Sequence, residues 1–110
     1  MRILILATCC IILLSACAKQ IESSRASYVG SWGSNEMVLS IHQNGMVDYA
    51  RKKHGITTSI HAPLKEFEGD DFVVGYLFIT TKFSVTEAPH KVNGKWQMVV
   101  DGIRLTKNAN

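Results

Sequence analysis

Beyond residue 17 the chain has no cysteine: its three, Cys9, Cys10 and Cys17, all fall in the opening segment. The remainder therefore has no disulfide and no thiolate ligand. Small exported domains commonly rely on disulfides, so a domain here is held by packing alone. Histidine stands at 42, 54, 61 and 90, yet no pair has a metal-ligand separation such as the four-residue helical spacing of zinc proteases. The glycines form no phosphate-cradling loop, no nucleophile elbow surrounds a serine, and no carboxylates are paired in a catalytic pattern. A helical period is missing too, apart from Pro63 to Glu68, which suits a single turn. No basic face is available for nucleic acid. These absences disfavour an enzyme, and neither cofactor nor metal is expected.

What is present begins with Met1-Arg2, followed by an apolar run from Ile3 to Leu14 broken by one polar residue, Thr8. A positive start, an apolar run of about 7–15 residues and small residues before a cleavage point describe a secretory signal. The run is too short to span a bilayer, which takes about 20 apolar residues. Its end, Leu14-Ser15-Ala16-Cys17, resembles the lipobox of bacterial lipoproteins. That resemblance implies that residues 1–16 are removed as a signal peptide. The Cys17 thiol then carries thioether-linked diacylglycerol and, with further fatty acylation (palmitate), becomes the first residue of the mature chain. The implied location is the cell envelope, with the membrane as partner through the lipid. Ala18, where Asp would signal retention, resembles the pattern sent to the outer membrane, facing the periplasm. The resemblance covers about 17 residues and concerns the anchor, not the domain behind it.

With Cys9 and Cys10 removed and Cys17 lipidated, the mature chain keeps no free thiol. Removing Arg2 leaves a balance of about +2, since the whole chain has 12 Lys+Arg and nine Asp+Glu. Only Arg51-Lys52-Lys53 form a basic run, read as a solvated hairpin end. Ala18 to Ser27 is polar and small, so residues 17–27 are expected to be the lipidated cysteine and a flexible tether. Fully stretched, ten such residues reach about 35 Å. A β-rich domain over 28–107 and a tail over 108–110 complete the organisation.

From Tyr28 onward short apolar segments alternate with the turn pairs Asn44-Gly45, His54-Gly55, Gly69-Asp70-Asp71, Asn93-Gly94 and Asp101-Gly102. All nine aromatic residues lie in this part. The expected fold is mainly β: a small antiparallel meander of about seven to eight strands, closing as a sandwich or compact barrel. Side-chain alternation predicts registers. A type I′ turn at Asp101-Gly102 pairs Val100 with Ile103 and Met98 with Leu105, puts Trp96 on their apolar side, and sends Val99 and Arg104 outward. At Asn44-Gly45 a two-residue turn would bring Asp48 opposite Ile41. A three-residue loop with Gly45 left-handed instead pairs Ile41 with Val47 and Leu39 with Tyr49. A two-residue His54-Gly55 turn then pairs Tyr49 with Ile60 and Val47 with Ala62. Phe72 to Ile79 is apolar on both faces and predicts a central strand, with Gly75 marking a bulge or a close approach.

This register sets Ser40, Asp48 and His61 side by side on the outer face. A hydrolytic triad requires the imidazole between hydroxyl and carboxylate. Here Asp48 takes the middle, and with strands about 4.8 Å apart Ser40 and His61 are about 10 Å from each other. The row reads as polar side chains turned to solvent, with His42 sharing its face. Gly69-Asp70-Asp71 lacks the alternating oxygen ligands of a calcium loop and reads as a turn. One further resemblance lies at Gly30-Ser31-Trp32, within Tyr28-Val29-Gly30-Ser31-Trp32: a Gly-x-Trp on the first strand is similar to the opening of lipocalin-like barrels, where the tryptophan closes one end. The expectation is a lipid-anchored lipoprotein that acts by binding, as a protein-interaction module or structural accessory with an envelope protein as partner. The alternative is a small lipocalin-like carrier of an apolar ligand.

Overall fold

The computed structural model describes residues 19–108; the expected signal peptide (1–16), Cys17, Ala18 and the last two residues of the expected tail lie outside the described residues. Turn chemistry sets the strand order. His54-Gly55, Asn93-Gly94 and Asp101-Gly102 each carry positive φ at both positions, the signature of type I′ turns whose twist matches a hairpin. They join β3 (Met46–Lys53) to β4 (Ile56–Glu68), β7 (Val85–Val92) to β8 (Lys95–Val100), and β8 to β9 (Ile103–Lys107). The remaining strands among the described residues are β1 (Gly30–Gly33), β2 (Met37–Ile41), β5 (Asp71–Tyr76) and β6 (Ile79–Phe83). Nine strands thus stand where seven to eight were expected. All pair antiparallel in the order β6-β5-β4-β3-β2-β1-β9-β8-β7, one curled sheet forming a half-barrel.

Two devices curl the sheet. β4 pairs with β3 through Pro63, then after an irregularity between Leu64 and Glu66 continues along β5. One strand so serves both walls, as bulged strands do at barrel corners. At the other side only Ser84 separates β6 from β7, the two outer strands of the order. The backbone N–H of Val85 donates to the Asp71 carboxylate at 2.7 Å, tying β7 to β5. The edge strand β7 is broken by two register shifts and contains Pro89, both of which discourage pairing with another chain.

The interior is filled with side chains. Trp32, Phe72, Phe83, Met37, Leu39, Ile41, Met98 and Leu105 are all but inaccessible. Phe72 and Phe83 stack with ring centroids 5.1 Å apart, and Tyr49 meets Phe83 edge-on at 4.9 Å. The predicted registers hold at all three hairpins: Ile41 faces Val47, Leu39 faces Tyr49, Tyr49 faces Ile60, and Met98 faces Leu105. Trp96 and Ile103 border the core and are only partly buried. Val99 lies outside the core cluster as expected, yet it is 9% exposed. Its sheet neighbours explain this: Glu87 and Arg104 flank it in register, and their ion pair at 2.8 Å spans it.

Two expectations need correction. The apolar run Phe72 to Ile79 is not one central strand. β5 ends at Tyr76, the chain turns through Leu77-Phe78, and Ile79 starts β6. Gly75 does mark a close approach, for a Cβ there would stand 2.2 Å from the Ile79 carbonyl oxygen. Nor is the stretch before Tyr28 loose. Ile21 is buried, its N–H donates to the Gln43 carbonyl and its carbonyl accepts from Gln43 Nε2, both at 2.9 Å. Ser23–Tyr28 then forms a 3-10 segment. One apolar residue in a polar run is enough to fasten it, because its burial comes with two hydrogen bonds.

Candidate functional site

On the outer face of β2, β3 and β4 the pairing Ser40↔Asp48↔His61 is the one the alternation predicts. Asp48 is the centre of this row. Its Oδ2 lies 2.9 Å from His42 Nε2, and its Oδ1 is bonded to His61 Nδ1. The two imidazoles hold the carboxyl below its ordinary value, His61 contributing more than His42. All three side chains are at least half exposed, so solvent and salt screen the cluster and its worth to stability is small.

Ser40 lies outside that bonding. Its hydroxyl is 3.1 Å from the Ser31 hydroxyl on β1, whereas His61 is two strand spacings away, about 10 Å. A carboxylate between two imidazoles and a serine paired with a serine do not make a proton relay from hydroxyl to base. A shallow depression of about 330 Å3 beside the row is lined by Val38, Ser40, Asp48, Ala50, Ile60 and His61, among others. Among the described residues no three His, Cys, Asp or Glu side chains are arranged to hold a metal ion. The strand alternation does not predict His42 as second partner of Asp48, nor Ser31 as partner of Ser40. The shared face of Ser40 and His42 was the available signal for the first; the second follows from β1 pairing, which no turn dipeptide announces.

The other singled-out residues fall elsewhere. His54 occupies its turn, and His90 Nδ1–H donates to the Ala88 carbonyl at 2.8 Å. Asp71 accepts from Val85 and stands 3.8 Å from Lys82, while the Asp70 carbonyl accepts from the Tyr28 hydroxyl at 2.9 Å. The Asp71 carboxylate thus joins β5 to its neighbours, while Asp70 holds the 3-10 segment through its backbone. Lys52 and Lys53 are exposed, and Arg51 reaches towards Glu36 at 3.9 Å. Trp32 is buried in the core. Its ring lies 4.9 Å from the Lys107 ammonium, whose pKa burial pushes below the ordinary lysine value.

A second surface feature was concealed by the strand expectation. The β5–β6 hairpin ends in Tyr76-Leu77-Phe78-Ile79, four large apolar residues exposed to between 54% and 88%. Leu77 takes φ 52°, a left-handed conformation that costs an L-residue with a bulky side chain about 1–2 kcal/mol. No helix among the described residues is long and apolar enough to cross a membrane. No family model matches the chain, and neither a curated protein nor a solved structure matches it.

Proposed function

We propose that the chain is a lipid-anchored lipoprotein of the bacterial cell envelope, acting by binding or in a structural accessory role as a protein-interaction module. The observation that carries this reading is Leu14-Ser15-Ala16-Cys17 with a folded domain immediately behind it. Ile21, four residues after Cys17, is already in the core. An acylated Cys17 would thus hold the β domain against the bilayer rather than at the end of a long leash. Stable anchoring takes two membrane signals, and diacylation with a further acyl chain meets that need. Ala18 in place of Asp favours the outer membrane, with the domain in the periplasm. The side-chain-filled interior supports an interaction module over the alternative, a lipocalin-like carrier, which needs room for an apolar ligand.

Two measurements test the reading. Mass spectrometry of the protein from native membranes should find acylated Cys17 as the first residue, and Cys17→Ala should leave the signal uncleaved there. A mature chain starting at any other residue overturns the anchor. For the mode of action, a secreted form with the anchor removed should fail to restore the full-length protein's role at native expression. Confinement near the bilayer raises the effective concentration for a membrane-resident partner. Full restoration by the soluble form would overturn the module reading in favour of a diffusing carrier.

A further inference from the structure

The apolar tip and the start of the domain lie at the same end of the molecule. The Gly45 loop brings them together. A Cβ on Gly45 would stand 2.1 Å from the Lys19 carbonyl oxygen, so the chain's entry is laid across that loop. The Gly45 carbonyl accepts from Leu64 N–H at 2.7 Å, and Leu64 pairs with Val74, one residue before Gly75 and two before the tip. Lys19, Leu64, Tyr76, Leu77 and Phe78 accordingly line one groove of about 830 Å3. Cys17 is two residues before Lys19, and two residues reach at most about 7 Å.

From this juxtaposition we infer that the hairpin tip Tyr76-Leu77-Phe78-Ile79 is a second membrane contact, inserted into the interfacial layer of the bilayer that holds Cys17. The inference rests on the lipoprotein reading. Acyl chains on Cys17 bring Lys19, and with it the tip, to the lipid surface. Leu77, Phe78 and Ile79 are 78%, 88% and 76% exposed, an apolar load suited to the headgroup–acyl boundary some 5–10 Å deep. Tyr76 stands where the hairpin would leave that layer, a position that tyrosine favours. Lys65 and Lys19 flank the tip, where ammonium groups meet lipid phosphates. The turn's backbone is also prepared for a dry environment: the Leu77 carbonyl accepts from Lys65 Nζ at 2.6 Å, sparing it the cost of an unpaired acceptor. β3 runs away from this end for eight residues, about 25 Å at a strand's rise, and so holds the His54-Gly55 turn away from the lipid.

The mature chain has no cysteine besides Cys17, so Phe78→Cys and His54→Cys in the full-length protein each supply one thiol for an environment-sensitive nitrobenzoxadiazole label. The labelled, acylated proteins are reconstituted in phosphatidylethanolamine–phosphatidylglycerol vesicles containing nitroxide-bearing phosphatidylcholine, and Cys17 is checked by mass. The label at 78 should emit to the blue and lose about half its intensity or more to the nitroxide lipid, while the label at 54 stays water-like and unquenched. Acylated Cys17 with a water-like, unquenched label at 78 overturns the insertion and leaves the anchor standing. A blue-shifted label that lipid nitroxide does not quench also overturns it, because protein would then cover the tip. Equal quenching at 54 and 78 overturns it too, by showing that the label itself seeks lipid. An unacylated Cys17 removes the lipoprotein reading and this inference together.

Discussion

The Trp32 indole N–H donates to the Tyr28 carbonyl at 2.9 Å, joining the core's largest side chain to the residue at the end of the 3-10 segment. Tyr28 in turn donates its hydroxyl to Asp70 across 42 positions of sequence and meets Phe67 edge-on at 4.9 Å. Truncating a buried aromatic removes both its transfer energy and the packing around the void. Trp32→Ala should therefore cost about 3–5 kcal/mol, close to the whole stability of a small domain. Trp96→Ala, at a partly buried position, should cost clearly less. Urea denaturation of the two variants checks the order, and an equal or reversed order would contradict this account of the core.

Gly45 has a comparable role in the loop after β2. Its φ is 95°, and an added Cβ would overlap the Lys19 carbonyl. Asn44, its neighbour, contributes one bond, its side-chain oxygen accepting from Met46 N–H at 3.0 Å. Gly45→Ala should thus destabilise by more than the ~1 kcal/mol expected for losing the Asn44 bond in Asn44→Ala. It should also loosen the segment before Ile21, seen as faster amide exchange at Ile21. A Gly45→Ala variant no less stable than Asn44→Ala would mean that the chain start does not cross this loop.

The Asp48 cluster predicts a pH dependence. The carboxyl titrates below its ordinary 3.8 because His61, and to a lesser degree His42, are bonded to it. A carboxyl depressed in the folded state adds stability above its unfolded pKa and loses it as pH falls through the folded one. The loss therefore falls below about pH 4. Glu87, held down by Arg104, and Glu68, held down by Lys82, lose theirs in the corresponding acid range. NMR titration of Asp48 should show its pKa rising towards the ordinary value in His61→Ala, and rising less in His42→Ala. The opposite ranking would assign the dominant bond to His42.

How much of this was legible beforehand follows from where local rules and burial agree. Asp101-Gly102, His54-Gly55 and the Gln43–Gly45 loop are favoured turn sequences flanked by strict alternation, so pairing and facing followed from them, including Asp48 beside His61. The β5–β6 turn was illegible because Leu77-Phe78 contains no turn-forming residue and continues an apolar run. Ile21 was hidden because a single apolar residue among polar ones carries no period. Val99 was assigned the correct side, but its burial depends on Glu87 and Arg104 closing over it, a contact between strands that alternation along one strand does not encode. The groove that brings Lys19 to the tip joins residues more than fifty positions apart, beyond any local pattern.

Leu77 yields the last prediction, and it runs against the usual effect of removing a large apolar residue. In the β5–β6 turn it holds φ 52° while 78% exposed, so it bears the left-handed strain and gains little from burial. Glycine relieves a strain of about 1–2 kcal/mol at such a φ. It forfeits part of that gain, about 0.5–1 kcal/mol, to the greater freedom of the unfolded chain. Leu77→Gly should therefore be neutral to stabilising by up to about 1.5 kcal/mol, which raises Tm by about 10 °C at most in a domain of this size. Stability in water thus gives no reason for leucine at this turn, whereas contact with lipid would. The corresponding comparison is thermal unfolding of the detergent-solubilised and vesicle-bound protein: Leu77→Gly should hold or raise Tm in mild detergent and lose part of any protection that vesicles confer on the wild type. If Leu77→Gly lowers Tm by several degrees in detergent as well, the side chain packs against the protein, and its presence in the turn is explained by the fold alone.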